Sequence, residues 1–279
     1  MVDQGAGARR AAVLGSPIRH SLSPVLHATA YASLGLTEWR YEAIECAEAG
    51  LPGLVDALGP EWAGLSLTMP LKRVALTVAD EVSPLAGAVG AANTLVLGGH
   101  RRAENTDVAG IVAALQEAGL GQVGAAVVLG AGGTAQAALA ALRALGERTP
   151  TVVVRDPART TELRTAADRL GVHPTIRGGL PGVELPDADV VISTLPSGAA
   201  DALRPQRWQT RPVVLDVVYA PWPTPLATAA LAAGCRVVSG LAMLLHQAVA
   251  QVELMTGQSP PVPPMRTALD AAVRSRTVC

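Results

Sequence analysis

The chain has 279 residues, 49% of them hydrophobic and 16% charged, enough apolar surface for one large or two ordinary domains around a substantial core. A net charge of −1 at pH 7 and the lack of a long basic run argue against nucleic acid as a partner. Cys46, Cys235 and Cys279 are scattered without CxxC spacing, which argues against a disulfide framework or a metal site and fits a reducing, cytoplasmic setting.

No secretory leader is expected, because the apolar stretch after Arg9-Arg10 stops at Ser16-Pro17. That stretch reads as a strand over 11–14. It runs into the loop GSPIRHSLSP, 15–24, bracketed by Pro17 and Pro24. Ser23 is expected to cap the following helix, with Pro24 in its first turn. Val25, Leu26, Ala30 and Leu34 recur at helical spacing. A strand is expected over 39–44 and a helix over 51–58, between Gly50 and Gly59. In GLSLTMPLK, 64–72, Leu65 and Leu67 alternate with Ser66 and Thr68, so the strand has one polar face. Pro70 should end it and open a helix through Val74 and Leu76, with Lys72 in the first turn. A lysine there opposes the helix dipole, so helix stability does not explain it. The loop at Gly90 enters a strand ending at Leu97. Gly98-Gly99-His100 reads as a hairpin turn. Asn105-Thr106-Asp107 leads into a helix over 108–118, closed by Gly119.

The second half is organised around VVLGAGGTAQAALAA, 127–141. A strand over 125–129 breaks at Gly130-Ala131-Gly132-Gly133 and resumes as a helix from Thr134 to Leu145. Gly130, Gly132 and Ala135 fit the dinucleotide fingerprint, in which glycines admit a pyrophosphate to a helix N-terminus. The stretch is uncharged from 122 to 142. Its clustered glycines and mostly alanine content nevertheless argue against a membrane span. Further strands are expected over 151–154, 189–193, 213–218 and 236–238. Helices are expected over 160–170, 224–233, 240–255 and 265–274, with a proline-rich spacer at 260–264. Strands alternating with helices imply an α/β protein with a mostly parallel sheet in each half. Polar residues gather at loops after strands, so the active site is expected in a cleft between two domains.

Two features carry chemistry. Lys72 is the only lysine among 22 Lys and Arg residues. An amine with a lowered pKa trades a proton near neutral pH, whereas a guanidinium stays charged. Asp107 can both cap its helix and serve as a charge partner. Just past the second strand of the nucleotide unit, Arg155 suits a 2′-phosphate while Asp156 suits a free ribose hydroxyl. These two signals conflict. Arg159 supplies a second cation and tips the reading to NADP.

The motifs together resemble the shikimate dehydrogenase family. They are GSPIRHSLSP at 15–24, SLTMPLK at 66–72, Ala92-Asn93-Thr94, Asn105-Thr106-Asp107, Gly130-Ala131-Gly132-Gly133 and GLAMLLHQA at 240–248. They fall in the family's order and span nearly the whole chain. The resemblance implies an N-terminal α/β substrate domain over 1–106, with 243–279 packing back on it, and a Rossmann-type domain over 107–242. It implies NADPH-dependent, reversible reduction of 3-dehydroshikimate to shikimate in the cytoplasmic route to aromatic amino acids, by a monomer or homodimer that binds no membrane. Lys72 and Asp107 match the catalytic pair. Ser21 and Ser23 match the hydroxyls for the substrate carboxylate, with Tyr219 near it. Thr68, Asn93, Asp107 and Gln247 match residues that hold the ring hydroxyls. Ser66 is counted in the same substrate-binding set, although it stands where many members have Asn. The implied cofactor set is Gly130, Ala131, Gly132, Gly133, Thr134, Arg155, Arg159, Thr194, Leu195, Val217 and Gly240, with no metal. Ser66 and Asp156 leave room for a quinate/shikimate or aminoshikimate dehydrogenase, possibly using NAD. A nucleotide-binding regulator without turnover is the alternative from another class.

Overall fold

The computed structural model describes residues 8–180, 182–200 and 210–277; Cys279 lies outside them. The chain divides into two compact units. The first gathers the chain up to Gly87, Ala91–Thr106 and the chain from Leu245 onward. The second comprises Ala88–Gly90 and Asp107–Leu244.

The opening elements are β1 (Arg9–Gly15), α1 (Ser23–Ser33), β2 (Trp39–Glu45), α2 (Leu51–Asp56), β3 (Trp62–Leu67), α3 (Ala75–Val78), β4 (Glu81–Val82), α4 (Pro84–Val89), β5 (Thr94–Leu97) and β6 (Arg101–Glu104). Their sheet runs β2-β1-β3-β5-β6-β4. It is mostly parallel, as expected: β2 and β3 pair parallel with β1, and β4 with β6, while β5 alone runs antiparallel to its neighbours β3 and β6. The tight turn at 98–100 joins β5 to β6 directly, and a short hairpin admits only antiparallel strands. Strand β3 is buried along its whole length, as a central strand must be, so the face carrying Ser66 is covered too. Leu14, Leu65, Leu67 and Leu95 form the core with Leu51, Val55 and Leu71.

The second unit continues with α5 (Asp107–Glu117), β7 (Ala126–Leu129), α6 (Gly133–Ala144), β8 (Thr151–Val153), α7 (Thr161–Leu170), β9 (Thr175–Arg177), β10 (Val190–Ser193), β11 (Val213–Asp216), α8 (Pro225–Ala232) and β12 (Arg236–Ser239). The sheet order β12-β11-β10-β7-β8-β9 is parallel throughout. Counted from β7 as strand one, this is the 3-2-1-4-5-6 order of the Rossmann fold, whose switch point lies between β7 and β10. Val127, Val191 and Val214, each fully buried, fill its centre. Thr224 caps α8: its hydroxyl accepts the Ala227 N–H at 3.1 Å and donates to Asp216 Oδ2 at 2.8 Å. Strand β9 was not expected, since Thr-Ile-Arg carries no apolar run; its pairing with β8 defines it.

Helix α9 (Gly240–Thr256) begins in the second unit and ends in the first. Helix α10 (Val262–Thr277) packs on α1. Pro263 and Pro264 form the first turn of α10 rather than a spacer, which proline tolerates because that turn needs no N–H partner. Among the described residues, no helix is long and apolar enough to cross a membrane, and no cluster of His, Cys, Asp and Glu is placed to hold a metal.

Candidate active site

In the first unit, parallel β1 and β3 end where antiparallel β5 begins. Ser66 pairs with Val13 on one side and Thr94 on the other. Just beyond, the Leu67 N–H donates to the Asn93 carbonyl at 2.7 Å and the Thr68 N–H to the Leu14 carbonyl at 2.9 Å. The loop after β1, the turn after β3 and Asn93 therefore share one edge of the sheet. Gly15 lets the two loops close on each other. A Cβ there would run into the Thr68 methyl and lie 2.9 Å from the Met69 carbonyl oxygen, to which Ser16 N–H donates.

Ser23 does not cap α1. It is the first helical residue, Leu22 holds the cap position, and the Ser21 hydroxyl accepts the Ser23 N–H at 3.2 Å. The serine loop is tied from outside by α10. Arg276 donates to the carbonyls of His20 and Ser21 at 2.8 and 3.2 Å, a link that sequence reading missed. Lys72 is half-buried in a run of turns ahead of α3, not in the first turn of a helix. The Leu71 N–H bonds back to the Thr68 carbonyl at 2.8 Å, which delays the helix to Ala75. The Lys72 carbonyl accepts the Ala92 N–H at 2.7 Å, fixing the lysine turn to the segment that carries Asn93.

Behind this edge lies a buried polar network. Asn93 Oδ1 accepts from the Thr106 N–H at 2.7 Å and from Thr94 Oγ1 at 3.0 Å. Its Nδ2 donates to Thr106 Oγ1 at 2.9 Å and to Gln247 Oε1 at 3.3 Å. Gln251, four residues after Gln247 on α9, donates through Nε2 to the Asn93 carbonyl at 3.1 Å and to Thr94 Oγ1 at 3.0 Å. Ser66 Oγ donates to Gln251 Oε1 at 2.8 Å and accepts from Tyr41 Oη at 2.7 Å. The Tyr41 ring stacks on His27 with centroids 3.9 Å apart. Burial pushes the Tyr41 phenol far above its usual range, and pushes the His27 imidazole down to about 3 despite its hydrogen bond to Gln251. Sequence reading singled out Ser66, Asn93 and Gln247 but missed Gln251, Tyr41 and His27. The four-residue spacing, which puts both glutamines on one helix face, was the available signal.

In the second unit, Gly130, Ala131 and Gly132 line a cavity of about 360 Å³ together with Val154, Arg155, Asp156, Arg159, Leu180, Thr194, Leu195 and Pro196. This is the end of β7, β8 and β10, beside the switch point. Gly130 has φ +109°, and a Cβ on it would stand 2.6 Å from Thr194 Oγ1. Thr194 Oγ1 in turn donates to the Leu129 carbonyl at 2.8 Å, closing the turn. Gly132 is the N-cap of α6 and offers no side-chain acceptor; a Cβ there would meet nothing within 4 Å. The first N–H groups of α6, at Gly133 and Thr134, thus lack a capping side chain, and Ala135 packs fully buried behind them. This cradle fits a dinucleotide phosphate. Gly240, at the start of α9, is pressed against the Val217 carbonyl, which any Cβ would strike. Asp107 is the buried first residue of α5, and Tyr219 is half-buried three residues after β11.

Residues 13–95 match the family model "Shikimate dehydrogenase substrate binding domain", and residues 240–269 match "Shikimate 5'-dehydrogenase C-terminal domain". The chain is 38% identical over 269 residues to the Shikimate dehydrogenase (NADP(+)) of Natronomonas pharaonis, covering 94% of this chain and 98% of that one. The chain belongs to the shikimate dehydrogenase family. The solved shikimate dehydrogenase of Mycobacterium tuberculosis matches with a TM-score of 0.82 and 46% identity, over 94% of this chain and 99% of its own. The family member from Thermus thermophilus, solved in complex with NADP(H) and shikimate, matches with a TM-score of 0.81 and 33% identity, over 95% and 99% of the two chains.

Proposed function

We propose that this chain catalyses the NADPH-dependent, reversible reduction of 3-dehydroshikimate to shikimate, a cytoplasmic step toward the aromatic amino acids. The printed names of its relatives, the NADP(H)–shikimate complex of the Thermus thermophilus member and the motifs at matching positions support the reading. The observation that carries it is the placement of the chain's one lysine. Lys72 follows β3, bonded through its carbonyl to the segment that holds Asn93.

Reducing a ketone requires a hydride at carbon and a proton at oxygen. NADPH, when bound, supplies the hydride. The Lys72 ammonium gives the proton to the carbonyl oxygen, and in the oxidative direction the neutral amine takes it back. Ser21 and Ser23 bind the substrate carboxylate, with Tyr219 beside it. Thr68, Asn93 and Gln247 hold ring hydroxyls. Asp107 is the carboxylate of the catalytic pair and accepts from a ring hydroxyl. Gly130 to Thr134 receive the cofactor phosphates, and Arg155 and Arg159 the 2′-phosphate. Thr194, Leu195, Val217 and Gly240 line the nicotinamide end. The test is product identification: purified chain with 3-dehydroshikimate and NADPH should yield shikimate. Consumption of NADPH without that product would overturn the proposal.

A further inference from the structure

Each link between Gln251 and Gln247 has only one polarity that works. The Asn93 carbonyl can only accept, so the Gln251 end that faces it must be the NH2, and Gln251 Oε1 must face Ser66. Flipping that carboxamide would set oxygen against oxygen in a site where Gln251 is 1% exposed. Thr94 Oγ1 accepts from Gln251, and its single hydrogen turns to Asn93 Oδ1. The Thr106 N–H, which can only donate, points at the same oxygen. Asn93 must then present Nδ2 to Gln247 Oε1. Gln247 is thereby turned so that its nitrogen, not its oxygen, is the end away from Asn93.

We propose that Gln251 and Ser66 form a positioning pair for substrate recognition: through Thr94 and Asn93 they fix Gln247 as a hydrogen-bond donor to a ring hydroxyl. Ser66 holds Gln251 and does not touch substrate, because its one hydroxyl hydrogen is spent on Gln251 and its oxygen accepts from Tyr41. This inference rests on the reading of the first unit as the shikimate site.

The test uses Gln251→Leu and Gln251→Glu in the full chain, with shikimate and with analogues that each lack one ring hydroxyl. Gln251→Leu should raise KM for shikimate about tenfold while kcat falls less than about threefold, and KM for NADP should not change. In the wild type, removing the hydroxyl that faces Gln247 should cost about tenfold in kcat/KM; in Gln251→Leu the same deletion should cost less than about threefold. Gln251→Glu separates polarity from shape. Its ionised carboxylate has no donor for the Asn93 carbonyl, whereas the protonated acid has one. Its KM should therefore fall toward the wild-type value as pH drops from about 8.5 to about 6, a trend the wild type lacks. If Gln251→Leu does not fold, Ser66→Ala, which removes a single bond, should show the same KM rise and loss of hydroxyl discrimination. A folded variant that keeps wild-type KM and wild-type discrimination overturns the inference, and so does a Glu variant with no pH trend of its own. A wild type that does not turn over shikimate overturns the functional reading beneath it instead.

Discussion

The carboxylate of Asp156 accepts the backbone N–H of Ala158 at 2.9 Å and so caps the short turn Pro157–Arg159. One oxygen of Asp156, the only acid lining the phosphate cavity among the described residues, is committed to the backbone, while Arg155 and Arg159 line the same cavity. The balance of charge at that wall therefore favours a 2′-phosphate over a bare ribose hydroxyl. The expected preference is at least about tenfold in kcat/KM for NADPH over NADH, or ~1.4 kcal/mol. Replacing Arg155 and Arg159 together by Gln should bring the ratio toward one. Equal efficiency of the two cofactors in the wild type would contradict this account of the wall.

Lys72→Ala should lower kcat about 100-fold or more, with a smaller change in substrate KM, because the lost group acts on a proton in flight rather than on binding. Lys72→Arg should not rescue it, since a guanidinium keeps its proton. Steady-state rates at several pH values decide the point, and near-normal kcat in either variant would remove Lys72 from the chemistry.

Arg276 reaches the serine loop from the far end of the chain, with two bonds to backbone carbonyls. The guanidinium is exposed, which limits its worth. Arg276→Ala should loosen the loop and raise KM for shikimate by about threefold to fivefold, leaving KM for NADP unchanged. An unchanged shikimate KM would show that the loop holds its shape without α10.

His27 sets a pH dependence of stability. Burial holds its folded pKa at about 3, below the 6.5 of a free imidazole. Between those values the unfolded chain binds more protons than the folded one, so stability falls as pH drops below about 6.5. At pH 5 the loss relative to neutral pH is on the order of 2 kcal/mol. Urea unfolding at pH 7.5 and pH 5 should show a smaller difference for His27→Phe, which keeps a ring against Tyr41 but cannot titrate. Equal slopes for the two proteins would locate the acid sensitivity elsewhere.

Much of the site was legible where one residue type alone satisfies the backbone or the chemistry. The turn at Gly130 needs a positive φ, and the single lysine stands out against a background of arginines. What stayed hidden depends on long-range packing. Gln251 reads as one more residue of an apolar helix until β5 brings the Asn93 carbonyl and the Thr94 hydroxyl to it. Asp156 reads as a ribose ligand until the turn after β8 claims its carboxylate. The turn at 98–100 was visible, yet its consequence for the sheet emerges only when β5 is seen inserted between β3 and β6.

The most direct test of the whole account is an initial-rate comparison at the reduced-nicotinamide absorbance band, with shikimate and quinate each offered alongside NADP and NAD. The account predicts that shikimate with NADP gives the highest kcat/KM of the four pairs. Quinate outrunning shikimate, or no turnover of shikimate with either cofactor, would contradict it.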